Sequence, residues 1–384
     1  MIVTNAAINS RTVKPRKAVL EMPEYHPPLA GRTALRLDFN ENTFGSSPQV
    51  LERLRSVSAE ELTKYPEREP VERIVGKHFG LQGEQVLLTN GVDEAIHLMC
   101  CAFLEAEDEA LIATPSFFMY DVSVQMMTAN LRKVQSDATL GFPFERFIAA
   151  ITRRTKLIIV SSPNNPTGAV VGREHLLAIA TAAPQAVLMV DEAYYHFDGA
   201  SVMDDLAATP NLIVARTFSK AYGLANLRIG MLAGNPELLK YVRKVSSPYN
   251  VNGVALDCLP LALADEEYVA WYSEQVRVGR ERMMDGLRKL GVPFFPSHAN
   301  FVLMNIGAKH KGLVAAMRAH GVLLRDRSTD PGCDGFVRIT IGVEDHVTQG
   351  LAALKVCLNE IGWEKQQIIE SPSQQGSDDV REFE

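Results

Sequence analysis

Residues 212–230 read Leu-Ile-Val-Ala-Arg-Thr-Phe-Ser-Lys-Ala-Tyr-Gly-Leu-Ala-Asn-Leu-Arg-Ile-Gly, and this stretch decides the fold. Its first four residues form a short apolar run that predicts a buried strand. The run ends in a polar cluster that includes Thr217, Ser219 and Lys220. A lone lysine at a strand end is usually a solvated surface group, because burying an amine is costly unless its pKa falls or it is bonded covalently. A reactive role for Lys220 therefore needs support from elsewhere in the chain.

Two stretches upstream share this layout of an apolar run that ends in polar residues. The run 156–160 leads to Asn165, and the run 186–190 leads to Asp191 and Tyr194. In open α/β sheets, ligands bind beyond the carboxyl ends of the strands, so we expect these side chains and the lysine to meet at one edge. An amine for a Schiff base, a carboxylate for a pyridinium nitrogen, and phenol and amide donors are what pyridoxal phosphate requires.

The motifs in this order resemble those of the fold-type I aminotransferases of class I/II, which use pyridoxal 5'-phosphate. They are Asn-Pro-Thr-Gly at 165–168, Asp-Glu-Ala-Tyr at 191–194, and Ser219-Lys220 followed by Arg228. The resemblance extends over roughly residues 25–363. It implies an α/β fold with a mostly parallel sheet in a large domain and a smaller α+β domain, and it implies a transaminase.

The resemblance also assigns residues to the cofactor. Lys220 would carry the cofactor and serve as the base, Asp191 would keep the pyridine nitrogen protonated, and Asn165 and Tyr194 would hydrogen-bond the ring hydroxyl oxygen. Phe117 would stack on the ring. The cofactor phosphate would be held by a group of backbone amides and side chains: Gly91, Val92, Asp93, Thr217, Ser219 and Arg228. Helix N-termini such as the one expected at residue 93 bind phosphate through free amides.

Tyr65 matches a tyrosine that reaches the cofactor phosphate of the neighbouring subunit. This match implies a homodimer with shared active sites.

Two arginines bear on the substrate. Arg338 matches the arginine that clamps the α-carboxylate in ordinary aminotransferases. Arg325, thirteen residues earlier, matches a second arginine of the histidinol-phosphate aminotransferase branch, and Tyr25 before a proline is a further match. With Asn165, these residues would bind the substrate. The expected reaction is L-histidinol phosphate plus 2-oxoglutarate to imidazole acetol phosphate plus L-glutamate, a step in histidine biosynthesis.

Other functions share these motifs. An aromatic amino-acid aminotransferase or a threonine-phosphate decarboxylase would carry nearly the same cofactor residues. A regulatory module that binds pyridoxal phosphate is disfavoured, because the roughly 40 residues before Asn40 are too few for a DNA-binding domain. Two departures from the family pattern, Thr43-Phe44-Gly45 and Glu67-Arg68-Glu69, leave the substrate open.

Composition bounds the remaining possibilities. The chain has 384 residues, 46% hydrophobic and 22% charged, which suits a globular protein of two domains. Its formal charge of -7 and the lack of a basic stripe argue against nucleic-acid binding. Five cysteines without Cys-x-x-Cys spacing indicate reduced thiols in a cytoplasmic enzyme. The histidines show no metal-binding spacing, so we expect no metal, and no apolar run reaches the roughly 18 residues of a membrane span.

Periodicity along the chain predicts how these elements are distributed. We expect an N-terminal arm with part of the small domain at 1–40, a large cofactor-binding domain at 41–265, a small domain at 266–365 and a disordered tail at 366–384. Strands are predicted at 86–89, 111–113, 301–305, 322–325 and 335–341. Helices are predicted at 93–104, 172–181, 236–245, 266–290, 312–320 and 347–361.

Overall fold

The computed structural model describes residues 13–22, 33–197 and 199–365. Its helices are α1 Lys17–Glu21, α2 Pro48–Arg55, α3 Glu69–His78, α4 Gly91–Phe103, α5 Met119–Met126, α6 Phe144–Ala149, α7 Arg173–Ala182, α8 Pro236–Val245, α9 Gly253–Ala264, α10 Glu266–Leu290, α11 His310–Ala319 and α12 Glu344–Glu360. Its strands are β1 Leu35–Arg36, β2 Val86–Thr89, β3 Glu109–Thr114, β4 Asn130–Gln135, β5 Thr155–Ser161, β6 Val187–Asp191, β7 Leu212–Thr217, β8 Gly230–Gly234, β9 Phe294–Phe295, β10 Phe301–Asn305, β11 Val322–Leu323, β12 Arg325–Asp326 and β13 Phe336–Thr340.

A seven-stranded sheet forms the centre of the larger part of the molecule. Its strand order is β2-β8-β7-β6-β5-β3-β4, and every pair from β7 to β4 is parallel. Only β8 runs antiparallel to its neighbours, β2 and β7. Helices cover both faces, so the middle residues of the inner strands are apolar and buried. On β7, Leu212 and Val214 face one core, and Ile213 and Ala215 face the other.

The C-terminal part has a sheet of its own. β12, β13, β10 and β9 pair antiparallel in that order, and α10, α11 and α12 pack on them. The N-terminal strand β1 joins this part, because Leu35 pairs in parallel with Val322 of β11. Val269 on α10 packs against both the large-sheet core and the C-terminal core, so this helix connects the two parts.

Local sequence explains where the long connecting helix begins and ends. Asp265 precedes α10, and its Oδ1 accepts a hydrogen bond from the Tyr268 amide at 3.3 Å. Gly291 follows the helix with φ +65, a left-handed conformation that glycine adopts without strain. α10 therefore has the bounds expected from its sequence, as do α8, β2 and β10.

Other elements differ from the predictions. β4, α5, α6 and α9 were not predicted, and neither was the antiparallel β8. β4 is an edge strand with mostly exposed polar residues, and α9 is apolar around most of its circumference and contains Pro260, so neither shows a clear period. The single strand predicted at 322–325 is wrong: it divides at Leu324, because β11 pairs with β1 and β12 pairs with β13.

The expected arm at 1–40 contains the short helix α1 and the strand β1. The predicted tail at 366–384 lies outside the described residues. The domain boundaries at 41, 265 and 365 remain predictions.

Candidate active site

Three parallel strands deliver their C-terminal residues to one edge of the large sheet. Ser161 at the end of β5 pairs with Asp191 at the end of β6, and Asp191 pairs with Ala215 of β7. Asn165 and Lys220 follow β5 and β7 within five residues of these strand ends. The sheet register therefore places Asn165, Asp191 and Lys220 at the same edge.

Asp191 is a buried carboxylate held by neutral donors. The Tyr120 hydroxyl donates to Oδ2 at 2.6 Å, and the Ala193 amide donates to Oδ1 at 3.0 Å. Burial raises the pKa of Asp191 to about 6, against the lowering effect of these hydrogen bonds. Both of these donors are neutral, so this buried carboxylate is suited to pair with a protonated ring nitrogen.

Tyr120 is a site residue that the sequence did not indicate. It lies on α5, is fully buried, and packs edge-on against Phe117 with 5.7 Å between ring centroids. Because α5 was not predicted, no helical face pointed to this tyrosine. Its contact with Asp191 bridges 71 positions of sequence, and a lone aromatic gives no signal for such a contact.

Lys220 and Tyr194 lie next to each other. The Lys220 Nζ atom is 5.7 Å from the centroid of the Tyr194 ring and donates to the Phe39 carbonyl at 3.1 Å. The Tyr194 hydroxyl accepts from Asn40 Nδ2 at 3.1 Å. The amine and the phenol ring therefore lie side by side in one pocket beyond β6 and β7, and the roles assigned to them remain predictions.

The segment around Asn40 joins the two sheets at this pocket. Asn40 has φ +55, a left-handed conformation that asparagine tolerates. Its amide donates to Thr340 Oγ1 at 3.0 Å, and its carbonyl accepts from Asn300 Nδ2 at 3.1 Å. In the sequence, Asn40-Glu41-Asn42 resembles a stretch of the histidinol-phosphate aminotransferase branch, but the contacts of Asn40 were not predicted. Its partners are 260 and 300 positions away, which no local pattern reveals.

The start of α4 forms a second part of the site. Asn90 precedes the helix without a side-chain cap, which leaves the first-turn amides of Val92 and Asp93 available. Arg228 has φ +52, and its Nη2 donates to Asp93 Oδ2 at 3.0 Å. Gly91 has φ +74, and a Cβ atom there would lie 2.6 Å from Arg228 Nη2. The free amides at the start of α4 and the nearby Arg228 guanidinium are both suited to bind one anion.

Thr217 and Ser219 lie between this region and Lys220. Both are buried, and Thr217 Oγ1 accepts from the Ser219 amide at 3.1 Å. The two hydroxyl residues thus form a tight turn at the end of β7.

The predicted substrate arginines are cross-strand neighbours. Arg325 on β12 lies directly opposite Arg338 on β13. Arg338 is buried, donates to Asn165 Oδ1 at 2.5 Å and to the Asp38 carbonyl at 2.8 Å, and its Nε has no partner among the described residues. Burial lowers the pKa of Arg338 to about 9. The Arg338 and Arg325 guanidiniums lie 5.2 and 5.1 Å from the ring centroids of Phe301 and Phe39.

Among the described residues, one predicted site residue, Tyr65, makes its contacts away from this pocket. Tyr65 is 79% exposed and stacks on Tyr249 with 4.5 Å between ring centroids. Tyr25 lies outside the described residues.

A separate group of possible metal ligands lies on α12 and at the end of α11. The ligand atoms of His320, Cys357 and Glu360 lie within 4.8 Å of one another, and His320 Nε2 is 2.9 Å from Glu360 Oε1. The expectation that the protein binds no metal remains a prediction. In the part of the chain that the structure describes, every helix is too short or too polar to cross a bilayer.

Comparison with known proteins identifies the family of this chain. The sequence matches the family Aminotransferase class I and II over residues 32–354. The chain belongs to this family. The predicted family and the predicted α/β fold are confirmed, and the chain is a transaminase. Family membership implies pyridoxal 5'-phosphate as the cofactor.

Individual relatives make the comparison more specific. Histidinol-phosphate aminotransferase 2 of Pseudomonas fluorescens is 34% identical over 329 residues, which cover 84% of this chain and 88% of that protein. Histidinol-phosphate aminotransferase of Caldanaerobacter subterraneus is 33% identical over 336 residues, which cover 84% of this chain and 93% of that protein. The crystal structure of histidinol-phosphate aminotransferase from Sinorhizobium meliloti in complex with pyridoxal-5'-phosphate has a TM-score of 0.84 at 24% identity, covering 92% of this chain and 99% of that one.

Proposed function

We propose that this transaminase passes an amino group from L-histidinol phosphate to 2-oxoglutarate, which yields imidazole acetol phosphate and L-glutamate. The observation that carries the proposal is the cross-strand pair Arg325 and Arg338 beside Asn165. The names of the relatives at 33–34% identity support the same substrate.

The residues at the sheet edge fit pyridoxal 5'-phosphate. Lys220 would bind it covalently, Asp191 would lie against its ring nitrogen, and Asn165 and Tyr194 would hydrogen-bond its phenolic oxygen. Its phosphate would be held at the start of α4 by the amides of Gly91, Val92 and Asp93 together with Thr217, Ser219 and Arg228, and Phe117 would cover the ring. When bound, the cofactor supplies an electron-withdrawing ring that stabilises negative charge on the substrate carbon.

The protein's own part in the reaction is to hold charge and to move protons. The Asp191 carboxylate would keep a proton on the ring nitrogen, because a buried anion stabilises a neighbouring cation more strongly than water does. Once the Lys220 amine is no longer bonded to the cofactor, it would take the proton from the substrate carbon and donate it two atoms further along, which is a 1,3-proton shift. Tyr194, held by Asn40, would orient the ring beside that amine.

Arg338 is well placed to bind an anionic substrate group. Its guanidinium is buried and bonded to a neutral amide and a carbonyl, and its depressed pKa reflects the cost of this burial. An anionic substrate group bound beside Arg338 would offset the positive charge of its guanidinium. A monoanionic carboxylate accepts a pair of hydrogen bonds from one guanidinium, whereas a dianionic phosphate can accept hydrogen bonds from two guanidiniums. Arg325 opposite Arg338 therefore favours a phosphorylated donor over an aromatic amino acid.

The proposal extends to assembly and compartment. The exposed Tyr65 would reach the cofactor phosphate of a second subunit, which makes a homodimer with shared active sites. The chain's reduced cysteines fit a cytoplasmic enzyme.

The experiment that tests the substrate is the Arg325→Ala variant with two donors. We expect kcat/KM for L-histidinol phosphate to fall by about ten- to a hundredfold, because one charge-assisted bond to the phosphate is lost. For L-phenylalanine we expect a smaller loss. Equal losses for both donors would favour the aromatic aminotransferase instead.

A further inference from the structure

The face of the small sheet that carries Arg325 and Arg338 also carries a third arginine. The Arg327 amide donates to the Phe336 carbonyl at 2.9 Å, so the pairing of β12 with β13 continues to this residue. Side chains alternate between the faces of a strand, so residues 325 and 327 share one face, and Arg338 lies opposite 325 on the same face. The strand pairing therefore places three arginines on one face of the small sheet.

Charge interactions support this closeness. The positive charges of Arg327 and Arg325 both contribute to lowering the pKa of Arg338, after burial, and Arg327 has the larger effect of the two. Arg338 is buried and Arg325 and Arg327 are partly buried, so their mutual repulsion costs free energy that a bound anion would offset.

Arg327 is mostly buried and incompletely satisfied. Its side chain is 11% exposed, and its Nη2 pairs with Asp330. Its Nε has no hydrogen-bond partner among the described residues, and the same is true of Arg338 Nε. Buried guanidinium donors without partners are uncommon in proteins, and they indicate a ligand acceptor.

Asp330 holds this guanidinium without cancelling the positive charge of the group. Burial raises the pKa of Asp330 above its ordinary value, against the opposing effects of Arg327, Arg338 and Arg325. The charges of all three arginines therefore act on the Asp330 carboxylate. It lies in a compact turn in which the Asp330 amide donates to the Arg327 carbonyl at 2.9 Å, and the Cys333 amide donates to the Asp330 carbonyl at 3.0 Å.

We propose that Arg327 is a third guanidinium for the phosphate of the amino donor, oriented by Asp330, and that it distinguishes phosphorylated from unphosphorylated donors. This inference rests on the proposed function of the same site. An excess of positive charge beyond one arginine matches a dianion better than a monoanion. Arg327 therefore adds selectivity that the pair Arg325 and Arg338 would not supply alone.

The test compares L-histidinol phosphate with L-histidinol, which lacks only the phosphate. The holoenzymes are wild type, Arg327→Gln, Arg327→Lys and a matched surface control, Arg282→Gln, whose arginine pairs with Glu344 at 2.6 Å on α12. For Arg327→Gln we expect kcat/KM for L-histidinol phosphate to fall about tenfold or more, mainly through KM. L-Histidinol should change by less than about threefold. Arg327→Lys should recover part of the loss, because it keeps the charge without the fork, and Arg282→Gln should behave as wild type.

A second readout separates this inference from the proposed function. Inorganic phosphate should inhibit transamination of a carboxylate donor by the wild type, and Arg327→Gln should raise its inhibition constant about tenfold. A wild type that does not use L-histidinol phosphate would refute the proposed function, while phosphate inhibition would still decide the role of Arg327. Equal losses for both donors in Arg327→Gln, or an unchanged inhibition constant, would overturn the role of Arg327.

Discussion

At the scale of single residues, Asp191 shows how function and stability oppose each other. The Asp191 carboxylate is only 3% exposed, and this burial disfavours its charged form and raises its pKa to about 6. The proposed mechanism uses the ionised form of Asp191 beside a cationic ring. The protein thus keeps a charge in a place that is unfavourable until the cofactor binds.

This conflict predicts the behaviour of Asp191→Asn. In protein freed of cofactor, the native state holds the Asp191 proton more tightly than the unfolded chain, so stability is lost as pH rises from about 4 through about 6. At pH 8 we expect the variant to exceed wild type by about 2 kcal/mol in free energy of unfolding, a difference that disappears near pH 4. Turnover should nevertheless fall by ~10²–10³. Urea unfolding at several pH values and steady-state rates measure these effects. A variant that is less stable than wild type at pH 8 would contradict this explanation.

The same residues show what sequence could predict. Asp191 and Lys220 follow apolar runs at the ends of strands, so local pattern alone brought them together. Tyr120 contacts Asp191, which is 71 positions away, and Asn40 contacts Tyr194, which is 154 positions away. Neither residue was predicted to make these contacts. Such contacts depend on how the sheets pack, which short-range periodicity does not encode.

At the scale of elements, the start of α4 depends on close backbone packing. Gly91 is left-handed with φ +74, and a Cβ at Gly230, the first residue of β8, would lie 3.0 Å from the Val92 amide nitrogen. The antiparallel β8 thus brings Arg228 against the helix start. Its sequence begins and ends with glycine, which is why no strand was predicted there.

Gly91→Ala should weaken cofactor binding. The left-handed conformation costs an alanine about 1–2 kcal/mol, and the new methyl group would displace the Arg228 guanidinium. Gly80→Ala is the matched control, since Gly80 has φ +71 and open space around it. Both variants should lose similar stability in urea, but only Gly91→Ala should lose about tenfold or more in pyridoxal 5'-phosphate affinity by titration. Equal affinities in the two variants would argue against a phosphate site at this helix.

At the scale of the whole molecule, two sheets share one pocket. The N-terminal strand β1 pairs with β11 of the C-terminal part. A few residues later, the Phe39 carbonyl accepts a hydrogen bond from Lys220 of the large-sheet part. This path explains why neither part alone carries all the groups of the site. The sequence led us to expect that residues 1–40 supply part of the small domain, but it did not show that Leu35 pairs with Val322, because the partner strand lies about 290 positions away and no local pattern identifies it.

The proposed dimer makes a prediction about mixed subunits. Lys220→Ala should be inactive, and Tyr65→Ala should bind the cofactor phosphate weakly. In a mixed dimer, one site would combine an intact Lys220 with the intact Tyr65 of the other chain. Co-refolding the two variants should therefore restore activity above that of either variant alone. Activity that never exceeds the average of the separate variants would contradict shared active sites.

The donor preference of the wild-type enzyme is the most direct test of the proposed reaction. The measurement is glutamate formation from 2-oxoglutarate, with L-histidinol phosphate and L-phenylalanine as separate donors, at matched pH and with added pyridoxal 5'-phosphate. The arginine pair predicts a kcat/KM for L-histidinol phosphate at least about tenfold higher than that for L-phenylalanine, which corresponds to one extra charge-assisted bond. A preference for L-phenylalanine, or no glutamate formed from L-histidinol phosphate, would contradict the proposed function.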